Sequence, residues 1–342
     1  MRRAAPPAQP ELEAGTSGPE RKPRAATFGL RLPAWLKYGV GGIIVLLSFY
    51  FLIGRLVRDW NQVRLAHLHL SAGRLVLAFG ILFFLHFPLY GWLWSTILRA
   101  LGSPVSVLKS IAITSVSAVG KYVPGKVWFT LGRMTLVRKE GVTEGTTLLS
   151  VVLEIAFTLF AGIIILGTGI LFLPRSQVPS AVYFLFLLAP ACLAVMYPPV
   201  LNRILRIPLR WLKRPPLELH IPYHVLLGIL GLCLLDWLAQ GIGCYVLINS
   251  FAHLPISRLP VMLGGYAVSW MIGFLVLLTP AGLGVREGIF TLILRTVLSE
   301  PIAIVAALVT RVWIAVGELV AALVGFVLLR TLSGRTNEKG RS

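Results

Sequence analysis

Apolar positions in this chain fall in long runs. An α-helix rises ~1.5 Å per residue, so about 20 apolar residues cross ~30 Å of hydrocarbon. Seven runs reach that length: 38–56, 75–98, 147–173, 181–200, 225–250, 260–279 and 301–330. The last is longer than one crossing requires and predicts tilt or extension past the membrane. Two stretches break the pattern. Residues 103–130 are moderately apolar but contain Lys109, Lys121, Pro124 and Lys126. Residues 280–300 read "PAGLGVREGIFTLILRTVLSE", with only a short continuous apolar core. Stretches that short are typical of broken or re-entrant segments. Irregular backbone survives at membrane depth only when buried in protein or lining a wet cavity.

The pattern therefore predicts an all-α polytopic membrane protein with about eight transmembrane helices and two broken or re-entrant segments. Residues 1–36 form a basic tail rich in Pro, Ala, Gly, Glu and Arg, which reads as disordered. Residues 37–330 form the membrane domain, and 331–342 a short polar tail. Basic residues before the first run favour a cytoplasmic N-terminus, as does the loop 201–224 with Arg203, Arg206, Arg210, Lys213 and Arg214. The first outer loop, with Arg55, Arg58, Arg64 and Arg74, runs against the rule. Seven crossings would leave the basic C-terminal tail outside; letting 286–299 cross with its neighbour brings it back inside. The expected location is a bacterial cytoplasmic (inner) membrane.

Composition sharpens this reading. The 342 residues are 56% hydrophobic and 13% charged, about half the charge of an ordinary soluble domain at ~25%. The net charge of +19 is carried mainly between apolar runs. That favours anionic lipid head groups as partners and argues against nucleic acid. Cys192, Cys233 and Cys244 all sit inside apolar runs and read as small buried hydrophobes. His220 and His224 stand four apart without further ligands, so neither metal nor cofactor is expected. No phosphate-binding loop, dinucleotide fingerprint or nucleophile elbow occurs, so nothing marks the chain as an enzyme.

Glu154, Asp236, Arg311 and Glu318 lie within predicted spans, away from their ends. A charge near the bilayer centre costs ~2.5–3.5 kcal/mol on insertion scales, so each is expected to face the bundle interior and find a partner. Arg311 and Glu318, seven apart, share one helix face, and Asp236 shares another with Gln240. Glu154 or Glu318 is the expected partner of Arg311. Gly317, Ala321 and Gly325 have the spacing of close helix packing.

The two breaks carry a different chemistry. "GKYVPGKVW" at 120–128 places Lys121 and Lys126 around Pro124 and Gly125, with Arg133 beyond. "TPAGLGVREG" at 279–288 places Pro280, Gly282 and Gly284 before Arg286 and Glu287. A broken helix exposes backbone N–H groups that favour anions, and Lys and Arg add full charges beside them. Lys121, Lys126, Arg133, Arg286 and Glu287 are thus the candidate head-group residues. The alternative for the lysines is anchoring at the interface. Aligning Pro124 with Pro280 matches the two breaks, a candidate inverted repeat of the kind that marks substrate sites in transporters.

Both motifs, in this order and followed by charged spans, resemble the membrane domain of lysylphosphatidylglycerol synthases, over roughly 38–330. In two-part synthases this domain is implicated in moving aminoacylated phosphatidylglycerol between leaflets, while a soluble domain performs the transfer. Only a dozen residues follow Arg330 here, so transferase activity is not implied. The resemblance implies lipid handling, with Lys121, Pro124, Gly125 and Lys126 on one motif, and Pro280, Gly282, Gly284, Arg286 and Glu287 on the other. It leaves a phospholipid or a glycolipid as cargo. A scaffold for a lipid-synthesis enzyme, a homo-oligomer and a membrane-embedded lipid-modifying enzyme remain open.

Overall fold

A computed structural model describes residues 57, 70–123, 127–172, 185–211, 220–276, 282 and 284–339. The expected tail 1–36, the span 38–56, and Pro124, Gly125, Lys126 and Pro280 lie outside these residues. The described chain is helical, with no strand. α1 (Ala72–Ala100) contains a π-helical turn at Leu82–His86. α2 (Val107–Ala118), α3 (Trp128–Val137) and α4 (Glu144–Leu171) follow. Next come α5 (Leu185–Val195), α6 (Pro198–Trp211) and α7 (Tyr223–Ile248), then α8 (Leu259–Leu275), α9 (Val285–Leu294) and α10 (Glu300–Lys339).

Among the described residues five helices are long and apolar enough to cross a membrane: Ala72–Ala100, Glu144–Leu171, Tyr223–Ile248, Ile256–Leu275 and Glu300–Leu332. They coincide with five of the seven expected runs. The run 181–200 is described only from Leu185 and is interrupted at Met196–Tyr197. The basic loop expected at 201–224 is helical as far as Trp211. α9 differs from the crossing expected at 286–299: ten residues rise only ~15 Å, half of the hydrocarbon thickness. α10 continues helical to Lys339, past the point where composition turns polar.

Each break builds a helical hairpin. α2 runs into a 3-10 turn at Val119–Tyr122, the chain breaks at Val123, and α3 follows from Trp128. α8 ends at Leu275, the chain breaks, and α9 starts after Gly284. Both second arms have ten residues, and both lead through a short connection into a long helix, α4 or α10. The packing is reciprocal. α2 lies against α10, and α8 lies against α4. Gly169 and Gly325, each 45 residues beyond its proline, make these contacts possible. A Cβ at Gly169 would stand 2.8 Å from the Pro260 carbonyl oxygen and 2.9 Å from Gly264 Cα; one at Gly325 would stand 2.9 Å from the Ala112 carbonyl oxygen. Those neighbours are backbone, so they cannot swing away. Gly317 serves a third contact, facing Leu82 and Phe87 of α1. The three cysteines are buried and unpaired.

Candidate functional site

The second break owes its shape to glycine. Gly282 and Gly284 both have positive φ, 73° and 84°, a region that costs other residues roughly 1–2 kcal/mol. A side chain at Gly282 would also meet the Gly273 carbonyl oxygen at 2.7 Å. Gly284 ends the turn and starts α9, and its N–H donates to Glu287 Oε2 at 2.6 Å. This is the glutamate half of a capping box, since glycine has no side chain to complete the other half. Arg286 and Glu287 are thereby held, both buried, in the first turn of α9.

Three elements converge there. Lys121 and Tyr122, at the end of the first hairpin arm, both donate to Glu318 of α10, the tyrosine at 2.7 Å. Arg311, two helical turns earlier on the same face of α10, sits over the Tyr122 ring at 5.6 Å. Its Nε lies 3.3 Å from Glu287 Oε1. That contact is an ion pair by distance without hydrogen-bond alignment, since Oε1 accepts no hydrogen bond among the described residues. The Arg286 guanidinium lies against the Tyr266 ring, 4.9 Å from its centroid. Its Nη2 is buried and finds no acceptor among the described residues. The cluster thus sets three cations, Lys121, Arg286 and Arg311, against two carboxylates, Glu287 and Glu318.

Arg133 and Glu154 stand apart from this cluster. Arg133 is 1% exposed and Glu154 2%. Arg133 Nη1 and the Tyr90 hydroxyl donate to Glu154. Arg133 also donates to Ser117 Oγ at 3.3 Å and to the Tyr90 hydroxyl at 3.2 Å, and it is ringed by Tyr90, Trp94 and Phe129. The pair joins α3 to α4, with α1 supplying Tyr90 and Trp94 of the aromatic wall. Glu154 was an expected partner of Arg311, but its oxygens are occupied here. Glu287, expected among the head-group residues, is the carboxylate that faces Arg311. Glu318 is a neighbour of Arg311 as well, while its two oxygens accept from Lys121 and Tyr122.

Asp236 and Gln240 do share a face of α7: Gln240 Nε2 donates to Asp236 Oδ2 at 2.9 Å. The sequence did not single out the rest of that chain. His86 Nδ1 lies 2.7 Å from Asp236 Oδ1, and the Tyr266 hydroxyl donates to Gln240 Oε1 at 3.2 Å. Tyr266 in turn carries Arg286, so a polar thread runs from the π turn of α1 to the second break. Tyr90, Tyr122 and Tyr266 were also missed. For Tyr90 and Tyr266, nothing in an apolar run distinguishes a packing tyrosine from one that serves a buried ion; Tyr122 stood inside the first break beside Lys121. His86, the one imidazole in "FFLHFPLY", was a legible signal. Among the described residues, no group of three His, Cys, Asp or Glu side chains is placed to hold a metal ion.

These features define a class: a polytopic helical membrane protein whose charged centre is assembled by two broken hairpins and a long helix. The chain belongs to the lysylphosphatidylglycerol synthase TM region family, whose profile matches residues 35–328. That match covers most of the chain and extends over both breaks. No curated protein matches it significantly.

Proposed function

We propose that this protein binds a polar lipid, phospholipid or glycolipid, and translocates its head group between leaflets. One observation carries the reading. Within the membrane domain, three cations meet two carboxylates where both breaks converge, and the buried Arg286 Nη2 keeps a donor without an acceptor among the described residues. A buried donor left unpaired costs about 1–3 kcal/mol, so an anionic group reaching it gains an interaction already set up. The N-terminus of α9 adds the positive end of its helix dipole beside it. Arg286 is the principal head-group residue, supported by Lys121 and, from the first motif, Lys126. Arg133 takes no part, since its donors are committed to Glu154, Tyr90 and Ser117.

Family membership supports lipid handling. The matching ten-residue second arms, the reciprocal packing and the equal offsets of Gly169 and Gly325 support two halves of a repeat. Such a repeat gives alternating access a natural geometry. In this reading the chain lies in the cytoplasmic membrane with its N-terminus inside and performs no covalent chemistry.

The test is purified full-length protein in vesicles carrying labelled phospholipids and glycolipids, compared with Arg286→Met and Lys126→Met. Losing one charge-assisted hydrogen bond worth ~1.5–3 kcal/mol predicts roughly a ten- to hundredfold fall in transport efficiency. Transport no faster than in empty vesicles for every lipid would remove the translocation reading. Full transport in both variants would remove the head-group site.

A further inference from the structure

The stripe of α10 that carries Arg311 and Glu318 does not end at the charged cluster. It continues through Ala321 and Gly325 to Leu328, all within about 100° of helix surface. Beyond Glu318 that stripe forms the floor of an apolar groove of about 390 Å³. The π turn of α1 supplies one wall through Phe84, and Phe87 follows it. α2 supplies the other through Ser115, and Val324 stands at the rim. Phe84 and Val324 are exposed, while Phe87 and Ala321 are buried, so the groove opens toward lipid and closes toward the bundle.

The register fixes how groove and cluster relate. α2 and α10 run antiparallel, with Lys121 against Glu318 and Ala112 against Gly325. The groove therefore starts about 5 Å along α10 from Glu318 and ends about 15 Å from it, at 1.5 Å per residue. A head group on the charged cluster therefore sits about 5 Å along α10 from the near end of this slot, within reach of its own chain. Small residues, Ala321 and Gly325 on the floor and Ser115 on the α2 wall, keep the slot open.

We infer that the groove between α1, α2 and α10 holds one acyl chain of the anionic phospholipid whose head group occupies the charged cluster. The inference rests on the head-group reading above and adds the path of the hydrocarbon. Bulk lipid tails are as apolar as the groove, so the slot by itself offers a chain little beyond packing contacts. Selectivity for a chain must then come from the head group tethered at the cluster, and this separates a substrate slot from ordinary solvation by lipid.

The full chain is reconstituted in phosphatidylcholine vesicles holding a trace of phosphatidylglycerol with a diazirine midway along one acyl chain. After photolysis, labelled peptides are mapped, and transport is followed separately in the same vesicles. Label is expected on 320–328 of α10 and 111–115 of α2. It should fall to the level of other lipid-facing stretches in Val324→Trp, which fills the rim, and persist in Leu323→Trp, an exposed position on the same helix outside the groove. Diacylglycerol carrying the same chain should label the groove about tenfold less, because it lacks the charged contact. Even labelling over the lipid-facing surface, label insensitive to Val324→Trp, or equal labelling by diacylglycerol would each overturn the inference. Groove labelling without transport would support the slot and strike the translocation reading. Transport without groove labelling would strike the slot alone.

Discussion

Removing one member of the Arg133–Glu154 pair should cost more than removing both. Each residue is almost fully enclosed, at 1% and 2% exposure. In Glu154→Leu the guanidinium keeps only neutral partners, Ser117 and the Tyr90 hydroxyl, and the faces of three aromatic rings. A buried charge stripped of its counterion costs about 3–5 kcal/mol, a hundredfold or more in the folded-to-unfolded ratio. Replacing both ions by apolar residues, Arg133→Met with Glu154→Leu, removes that penalty, since apolar replacement of a buried pair is often neutral or stabilising. One group is then orphaned, the Tyr90 hydroxyl, at about 1–3 kcal/mol. Ser117 is not, because its hydroxyl still donates to the Thr114 carbonyl. Adding Tyr90→Phe should restore most of the remainder. Thermal denaturation in detergent, read as the monodisperse fraction, gives the order of the variants. Additive losses, with a coupling below about 0.5 kcal/mol, would refute the buried pair. The triple variant also tests the division of labour. If Arg133 only braces α3 against α4, that variant transports lipid at the parent rate, and a well-folded triple variant that fails to transport would return Arg133 to the cargo path.

Other expectations follow from the same contacts. Gly282→Ala should destabilise the α8–α9 hairpin by about 1–3 kcal/mol through its positive φ and the Gly273 carbonyl. Gly288→Ala, in α9 with open space around it, should be neutral or gain up to about 1 kcal/mol in the same melts. Gly325→Leu and Gly169→Leu should each lower the melting temperature by separating a long helix from the opposite hairpin, whereas Gly228→Leu, which meets nothing nearby, should not. Asp236→Leu should be more harmful than His86→Leu combined with Asp236→Leu, as the single change strands the imidazole; equal melting temperatures would refute the His86–Asp236 contact.

Much of the architecture was legible from hydrophobic run length alone, because hydrocarbon thickness sets how many apolar residues a crossing needs. Both breaks were legible too, since glycine and proline interrupt helices through local backbone sterics that need no neighbour. The spacing of Arg311 and Glu318 placed them on one face for the same local reason. Partner choice was not legible. Glu154 was a fair candidate for Arg311 until the fold brought Arg133 to it across a hairpin, and Glu287 to Arg311 across another. Helix periodicity says which face a charge takes, but not which helix that face meets. The approach of α2 to α10 and of α8 to α4 decides that, and it is permitted by Gly325 and Gly169, whose missing side chains let backbone touch backbone. The sequence by itself determined a helical membrane protein with two cationic breaks. Only the tertiary structure decided that both breaks close on one long helix, because ion pairing in a bundle depends on distances between residues up to two hundred positions apart.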